Sequence, residues 1–469
     1  MIKKTLMLIA ALSAFSQAQA ASAIPAETHK LYLAHCAQCH GQSLEGGVGP
    51  NLADATWIYG PPTHDSLVEI IANGVEENGM PAWSGQLSAA QISQLADYLL
   101  PANAAARKAS ALGVAGAAPA ARPAAAVPPG LKLPKGFHIA VYADKVDSAR
   151  ELAVSPSGIV FVGSRKAGKV YALIDADKDG VAEKVVTVAE GLNKPNGVAL
   201  LNGALYVAEI SRILRFDNIE QSYASKPAYK VIKDDLPGET WHGEKYIKAG
   251  PDGKLYVPIG APCNVCDKED AVYSKIWRMD PDGSHWELYA RGVRNTVGFT
   301  WHPATKEMWF TDNGRDEMGD NMPSCELNHA PKAGLHFGFP YCHGGAVPDP
   351  DFAKGKSCEQ FEAPVAKLGP HVAPLGLAFY TGSQFPAAYR NQLFIAEHGS
   401  WNRSSKIGYQ VRLITLYGNK LVSDTAFIDG FLQGEEASGR PVDVAVMPDG
   451  ALLVSDDHAH RVYRITYRP

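Results

Sequence analysis

Short runs in which apolar and polar residues alternate, each cut off by a Pro, Asp or Gly turn, fill residues 131–469. A period of two marks strands that bury one face, and no helical periodicity interrupts it. The runs form a recurring unit: an alternating strand, a turn, a second strand ending in Tyr-Val or Phe-Val, and a third carrying Arg or Tyr. Copies occupy residues 151–174, 196–216, 248–279, 298–312, 376–414 and 442–465. Six copies at a spacing of roughly 45 to 60 residues predict an all-β six-bladed β-propeller, one four-stranded sheet per blade around a central channel.

The pattern ahead of the propeller is different. Residues 87–100 (LSAAQISQLADYLL) carry apolar side chains at helical spacing behind Ser88, a natural N-cap, so residues 24–100 predict a small all-α domain with helices at both ends. Residues 101–130 are Ala and Pro with little else apolar, a linker that cannot bury a core. At roughly 3.1 Å per extended residue it would let one domain visit the other and leave again. Residues 1–20 read as a secretory signal peptide: Lys3 and Lys4, an apolar run from Leu6 to Phe15, then Ala18-Gln19-Ala20. The run is shorter than the roughly 20 residues of a membrane span. The expectation is a periplasmic or secreted protein whose mature form has no transmembrane segment and tolerates disulfides.

Within the helical domain, Cys36-Ala37-Gln38-Cys39-His40 is the C-x-x-C-H pattern of c-type haem attachment. Two thiols add across the vinyl groups of one porphyrin, and the histidine directly after the second reaches the iron from one face. The sixth ligand is read as Met80, in Asn78-Gly79-Met80-Pro81, the sole methionine between the haem motif and the linker. This is similar to the Met loop of small cytochromes c, and a thioether ligand raises the potential, which suits an electron acceptor. His64 is the competing ligand; its blander reading is a solvated surface histidine.

The net charge of -5 over 469 residues leaves no basic footprint for nucleic acid. Cys263-Asn264-Val265-Cys266 is a second C-x-x-C, but Asp267 follows it where haem attachment needs histidine. In an exported chain it reads as a local disulfide, with redox exchange or zinc as alternatives. Cys342 and Cys358 bracket a Gly/Pro/Asp-rich loop and form the next pair, which leaves Cys325 single. Asp175, Asp177, Asp179 and Gly180 begin as an EF-hand loop does, yet Val186 stands where the closing glutamate belongs. The stretch reads as a hairpin turn, with a separate calcium as the alternative.

Four irregular segments interrupt the blades: residues 239–243 (ETWHG), 291–295 (RGVRN), 312–320 (DNGRDEMGD) and 397–403 (EHGSWNR). They combine a histidine, arginines and glycine turns, the raw material of a base, an anion clamp and a hard-cation site. His242 followed by GPDGKLYV, Arg294-Asn295 followed by Gly298-Phe299, and Asn313-Gly314 leading to Glu326-Leu327-Asn328 resemble the glucose/sorbosone dehydrogenase family. Those proteins are propellers carrying pyrroloquinoline quinone and calcium, and the resemblance covers nearly all of residues 131–469. The HFGFPYCHGG and AEHGSWNR runs look more like the sorbosone and pyranose members.

The resemblance implies that His242 is the general base toward a sugar hydroxyl and that Arg294, with Asn295, stabilises charge on the quinone oxygens. It further implies that Arg165 and Arg440 face the cofactor carboxylates, that Arg403 or Lys406 adds another contact, and that backbone oxygens of Gly314 and Arg315 hold calcium. The chain departs from the glucose-oxidising members at Arg315, where they carry proline, and in a longer acidic loop from Asp316 to Ser324. Without the resemblance, His242 is readable as a buried, hydrogen-bonded histidine and Arg294 as a solvated surface group. The leading expectation is a quinohaemoprotein that oxidises a sugar and passes electrons through haem c to a downstream cytochrome or other acceptor. The competing expectations are a calcium-dependent propeller lactonase and a carbohydrate-binding propeller without catalysis.

Overall fold

The computed structural model describes residues 26–42, 44, 49–52, 59–61, 63–75, 80–100, 126–268 and 271–469. The signal-peptide reading, Asn78-Gly79 and the linker through residue 125 lie outside them. The chain divides into two compact units, Met1–Arg122 and Pro123–Pro469.

In the first unit, helices Ala26–His35, His64–Asn73 and Ala89–Leu99 enclose a core of Tyr32, Leu67, Ile71, Ile92, Leu95 and Leu99. The last helix begins as its sequence requires: the Ser88 hydroxyl accepts from the Gln91 amide and the Gln91 side-chain oxygen accepts from the Ser88 amide, a capping box. No helix among the described residues is long and apolar enough to cross a membrane.

The second unit is the six-bladed propeller that the repeats predict. Blade one is Ala149–Val154, Val160–Ser164, Val170–Ile174 and Lys184–Ala189, hydrogen-bonded in chain order and antiparallel. Blade two, Gly197–Leu201 through Lys230–Lys233, and blade five, Pro374–Phe379 through Lys420–Ile428, repeat it. Blade three gains a parallel strand, Leu335–His336, beside Glu287–Arg291, and blade four reaches its outer strand Ala366–Pro370 only after a long excursion. Blade six takes three strands from Pro441–Val446, Leu452–Asp456 and Arg461–Tyr467. Its fourth is Phe137–Ala143, with Phe137 opposite Tyr467, so the two ends of the propeller close the ring.

The apolar faces are buried between neighbouring sheets. Val162 and Leu152 of blade one pack with Leu453 and Val462 of blade six, Phe161 with Val207 of blade two, and equivalent clusters fill the remaining gaps. The first strands of the blades contact one another around the axis, and buried polar side chains tie them together. Asp443 accepts from the Leu152 amide at 2.8 Å, and Glu151 from the Val198 and Ile247 amides, each at 3.1 Å. Gly376 makes room for this: a Cβ there would lie 1.8 Å from Asp443 Oδ1.

Candidate functional site

The antiparallel order fixes where chemistry can gather. A residue just before a first strand and one just after a second strand stand at the same end of the propeller. His242, Arg294 and Arg440 precede first strands, whereas Arg165, Gly314 and the His398 turn follow second strands. One end therefore collects the irregular segments.

His242 sits in the left-handed region at φ 49°, and its Nδ1 lies 2.9 Å from the Ala261 carbonyl. A carbonyl only accepts, so Nδ1 carries the proton and Nε2, with no protein partner among the described residues, keeps its lone pair. Gly260 permits the approach: a Cβ there would lie 2.7 Å from the His242 Cβ. Burial, and then the Arg294 charge, push the imidazole down to about 3, so it is neutral near pH 7. The Ala261 amide donates to the Arg294 carbonyl at 2.8 Å, which joins the two residues through one backbone link.

Arg294 is buried and its guanidinium is held by the protein. Nε donates to the Asn264 carbonyl at 2.8 Å, Nη1 to the Asn313 carbonyl at 3.2 Å, and Nη2 to Asn264 Oδ1 at 2.9 Å and Asp316 Oδ2 at 3.2 Å. It is thus a fixed positive charge beside His242. Asp312 holds the same turn by accepting the Arg294 and Asn295 amides at 2.8 and 2.7 Å. The Asn295 side chain makes no hydrogen bond among the described residues and is available to a ligand.

The remaining predicted cations divide. Arg165 gives only Nε to Glu244, at 2.7 Å, and Arg440 gives Nε and Nη2 to the His398 and Gly399 carbonyls at 2.9 and 2.8 Å. Both Nη groups of Arg165 and the Nη1 of Arg440 stay uncommitted, the donor set that carboxylates require. Arg403 has every guanidinium nitrogen engaged, by Asp320, Asn321 and Ser405, and Lys406 is held by Glu435. Arg315 is buried against Asp349, which also binds His343 Nε2 at 2.8 Å. Gly314 borders a small recess with Asp312, Glu326 and His343, where burial pushes Glu326 up to about 8. Arg294, Asn313, Phe337, Phe339 and Cys342 complete its lining, so its oxygens come from Asp312, Glu326, Asn313 and the backbone.

Two partnerships escaped the sequence reading. Asn264, between the paired Cys263 and Cys266, provides two of the acceptors of Arg294; its signal was the C-N-V-C turn itself. His398 pairs with Asp457 at 2.8 Å, and Arg150 reaches the other Asp457 oxygen at 3.0 Å. Burial pulls His398 down to about 4. Arg150-Glu151, a charged pair at the start of an apolar strand, was the visible anomaly. Cys342 pairs with Cys358, and Cys325 is free and buried.

In the helical unit, His40 Nδ1 lies 2.9 Å from the Pro50 carbonyl, which leaves Nε2 available to a ligand. Cys36 and Cys39 are free thiols, and Met80 packs against the same core as Cys36. These groups fit covalent haem. Both nitrogens of His64 are engaged, by Asp65 at 3.2 Å and Ser93 at 3.0 Å.

A six-bladed propeller with a free imidazole nitrogen beside a buried arginine, preceded by a helical domain with a haem-attachment motif, defines an oxidoreductase built for electron transfer. Residues 131–468 match the TrAA12-like family, and the chain belongs to it. Residues 23–99 match cytochrome c oxidase, cbb3-type, subunit III. An uncharacterized protein of Borreliella burgdorferi is 34% identical over 356 residues, 72% of this chain and 91% of its own length. The calcium structure of a Trichoderma reesei carbohydrate-active enzyme of family AA12 aligns with TM-score 0.64 and 17% identity over 72% of this chain and 98% of that one. The holo pyranose dehydrogenase PQQ domain of Coprinopsis cinerea gives TM-score 0.60 and 17% identity over 72% and 97%.

Proposed function

We propose that this protein is a periplasmic quinohaemoprotein that oxidises a sugar, an aldose or a related polyol or sugar aldehyde, with His242 as the base. The observation that carries the reading is the unprotonated, unpartnered Nε2 of His242, held beside a buried arginine on a chain that also bears C-x-x-C-H. The likeness to the Coprinopsis cinerea pyranose dehydrogenase domain supports quinone and sugar.

Pyrroloquinoline quinone, when bound, supplies a two-electron acceptor for hydride, calcium a Lewis acid, and haem c a one-electron outlet. The uncommitted nitrogens of Arg165 and Arg440 and the Asn295 amide would hold the quinone, and the Gly314 and Arg315 backbone oxygens the calcium. His242 Nε2 takes the proton of the substrate hydroxyl while Nδ1–H stays anchored on Ala261. The Arg294 charge opposes a lasting imidazolium, so the proton is readily passed on. Trp241, half exposed and edge-on to His242 at 5.8 Å between ring centroids, offers an apolar face to a sugar ring.

The test reconstitutes the purified chain with quinone and calcium, adds a panel of sugars and follows the haem α-band. Sugar-driven haem reduction that needs quinone is expected. Lactone hydrolysis without quinone, and no haem reduction by any sugar, would replace this reading with the lactonase.

A further inference from the structure

The turn between the third and fourth strands of blade one lies at the end of the propeller opposite His242, because each antiparallel strand reverses direction. It carries Asp175, Asp177, Asp179 and Glu183, and one carboxylate oxygen from each lies within 4.8 Å of the others. The strand register explains the ninth-position carboxylate. Ile174 pairs with Lys184, so Glu183 is the last residue of the turn and sits across from its start, where Oε2 accepts the Ala176 amide at 2.7 Å.

Acidic turns are common, but this one has inward-facing oxygens that nothing satisfies. Asp175 Oδ1 and Glu183 Oε1 are buried and have no hydrogen-bond partner among the described residues. A third orphan faces them from another blade: Tyr142 is fully buried at 0% exposure, its hydroxyl has no partner, and its environment includes the charges of Asp175 and Glu183. The nearby cation, Arg464, is already paired with Asp449. Leaving buried oxygens unpaired is costly, so a fold keeps three together where something fills the gap. The four clustered ligand groups are all carboxylates, two of them reach solvent and can share the ion with water, and no histidine or cysteine joins the cluster among the described residues. Such a set selects a hard, high-coordination cation over zinc or copper.

We propose that the hairpin of residues 175–183 binds a calcium ion through Asp175, Asp177, Asp179 and Glu183, as a site separate from the one attributed to Gly314. It pins the outer strand of blade one next to Tyr142 on the strand that closes the ring. The site does not rest on the quinone reading, so it is tested without quinone. The full chain is stripped with chelator and dialysed against fixed free calcium, and bound metal is counted beside titration calorimetry. The double variant Asp177→Asn/Asp179→Asn should bind one calcium fewer per chain than wild type, and Glu183→Gln should weaken the same class of site at least tenfold. Asp177 and Asp179 reach solvent, Glu183→Gln keeps the shape of a half-buried side chain, and the circular dichroism spectrum checks the fold of each variant. Equal calcium content in wild type and the double variant would overturn the proposal, as would a wild-type chain that binds none.

Discussion

Gly260→Ala tests the geometry of the base without touching its chemistry. The added Cβ would stand 2.7 Å from the His242 Cβ, 3.1 Å from its carbonyl and 3.3 Å from the Arg294 carbonyl. Ordinary contact begins near 3.4 Å, so the His242 segment has to retreat by about 0.7 Å. Gly260 has no positive φ, so strain arises only from this crowding. Overpacking of that size costs about 1–3 kcal/mol, which a propeller with six interblade cores survives. A reacting group displaced by up to about 1 Å costs on the order of 10²-fold in rate. The assay is stopped-flow reduction of the haem band with quinone and calcium supplied, alongside a thermal melt. A folded variant whose kcat falls by about 10²-fold is the expected result. A variant that melts lower yet turns over like wild type would show that the position of His242 does not matter, and the base assignment would go.

Other outcomes follow from the same contacts. Because burial and Arg294 push the His242 imidazole down to about 3, kcat/KM should show no histidine limb around the ordinary value of 6.5; a limb there would contradict the neutral, buried ring. The same depression has a stability consequence: the contribution is present above 6.5 and lost as pH falls from there toward about 3, so His242→Gln should flatten the acid side of the melting profile. Asp457→Asn removes the partner of both Arg150 and His398 and should cost about 3–5 kcal/mol by denaturant unfolding, with wild-type stability the refuting result. Met80→Ala should lower the haem potential and change the spectrum while leaving oxidation with an artificial dye intact; an unaltered spectrum would mean another ligand.

The architecture was legible because a propeller repeats its reasons: the same alternation and turn residues recur in every blade, so one pattern read several times is hard to mistake. What alternation does not encode is partnership. Nothing in residues 137–143 (FHIAVYA) says that this strand belongs with 461–467 rather than with the blade that follows it. The site was legible as residue types but not as hydrogen bonds. Arg294 looks in sequence like a ligand-facing cation, yet its fork is filled by a disulfide-bounded loop that sequence distance hides. The Asp175 turn was set against a twelve-residue template and lost its last ligand at Val186. Only the strand register shows that Glu183 closes a shorter loop.

The closing of blade six by its first and last strands sets an order of events. Phe137 pairs with Tyr467, so a chain that emerges amino terminus first holds its earliest propeller strand without a partner until the final residues arrive. The unpaired edge is a hazard during that interval. Contacts of such sequence separation form late. Residues 36–40 are therefore delivered, and open to modification, well before the propeller ring can close. A chain cut short by its last strand would present a fully formed haem-attachment sequence attached to a propeller that never locks.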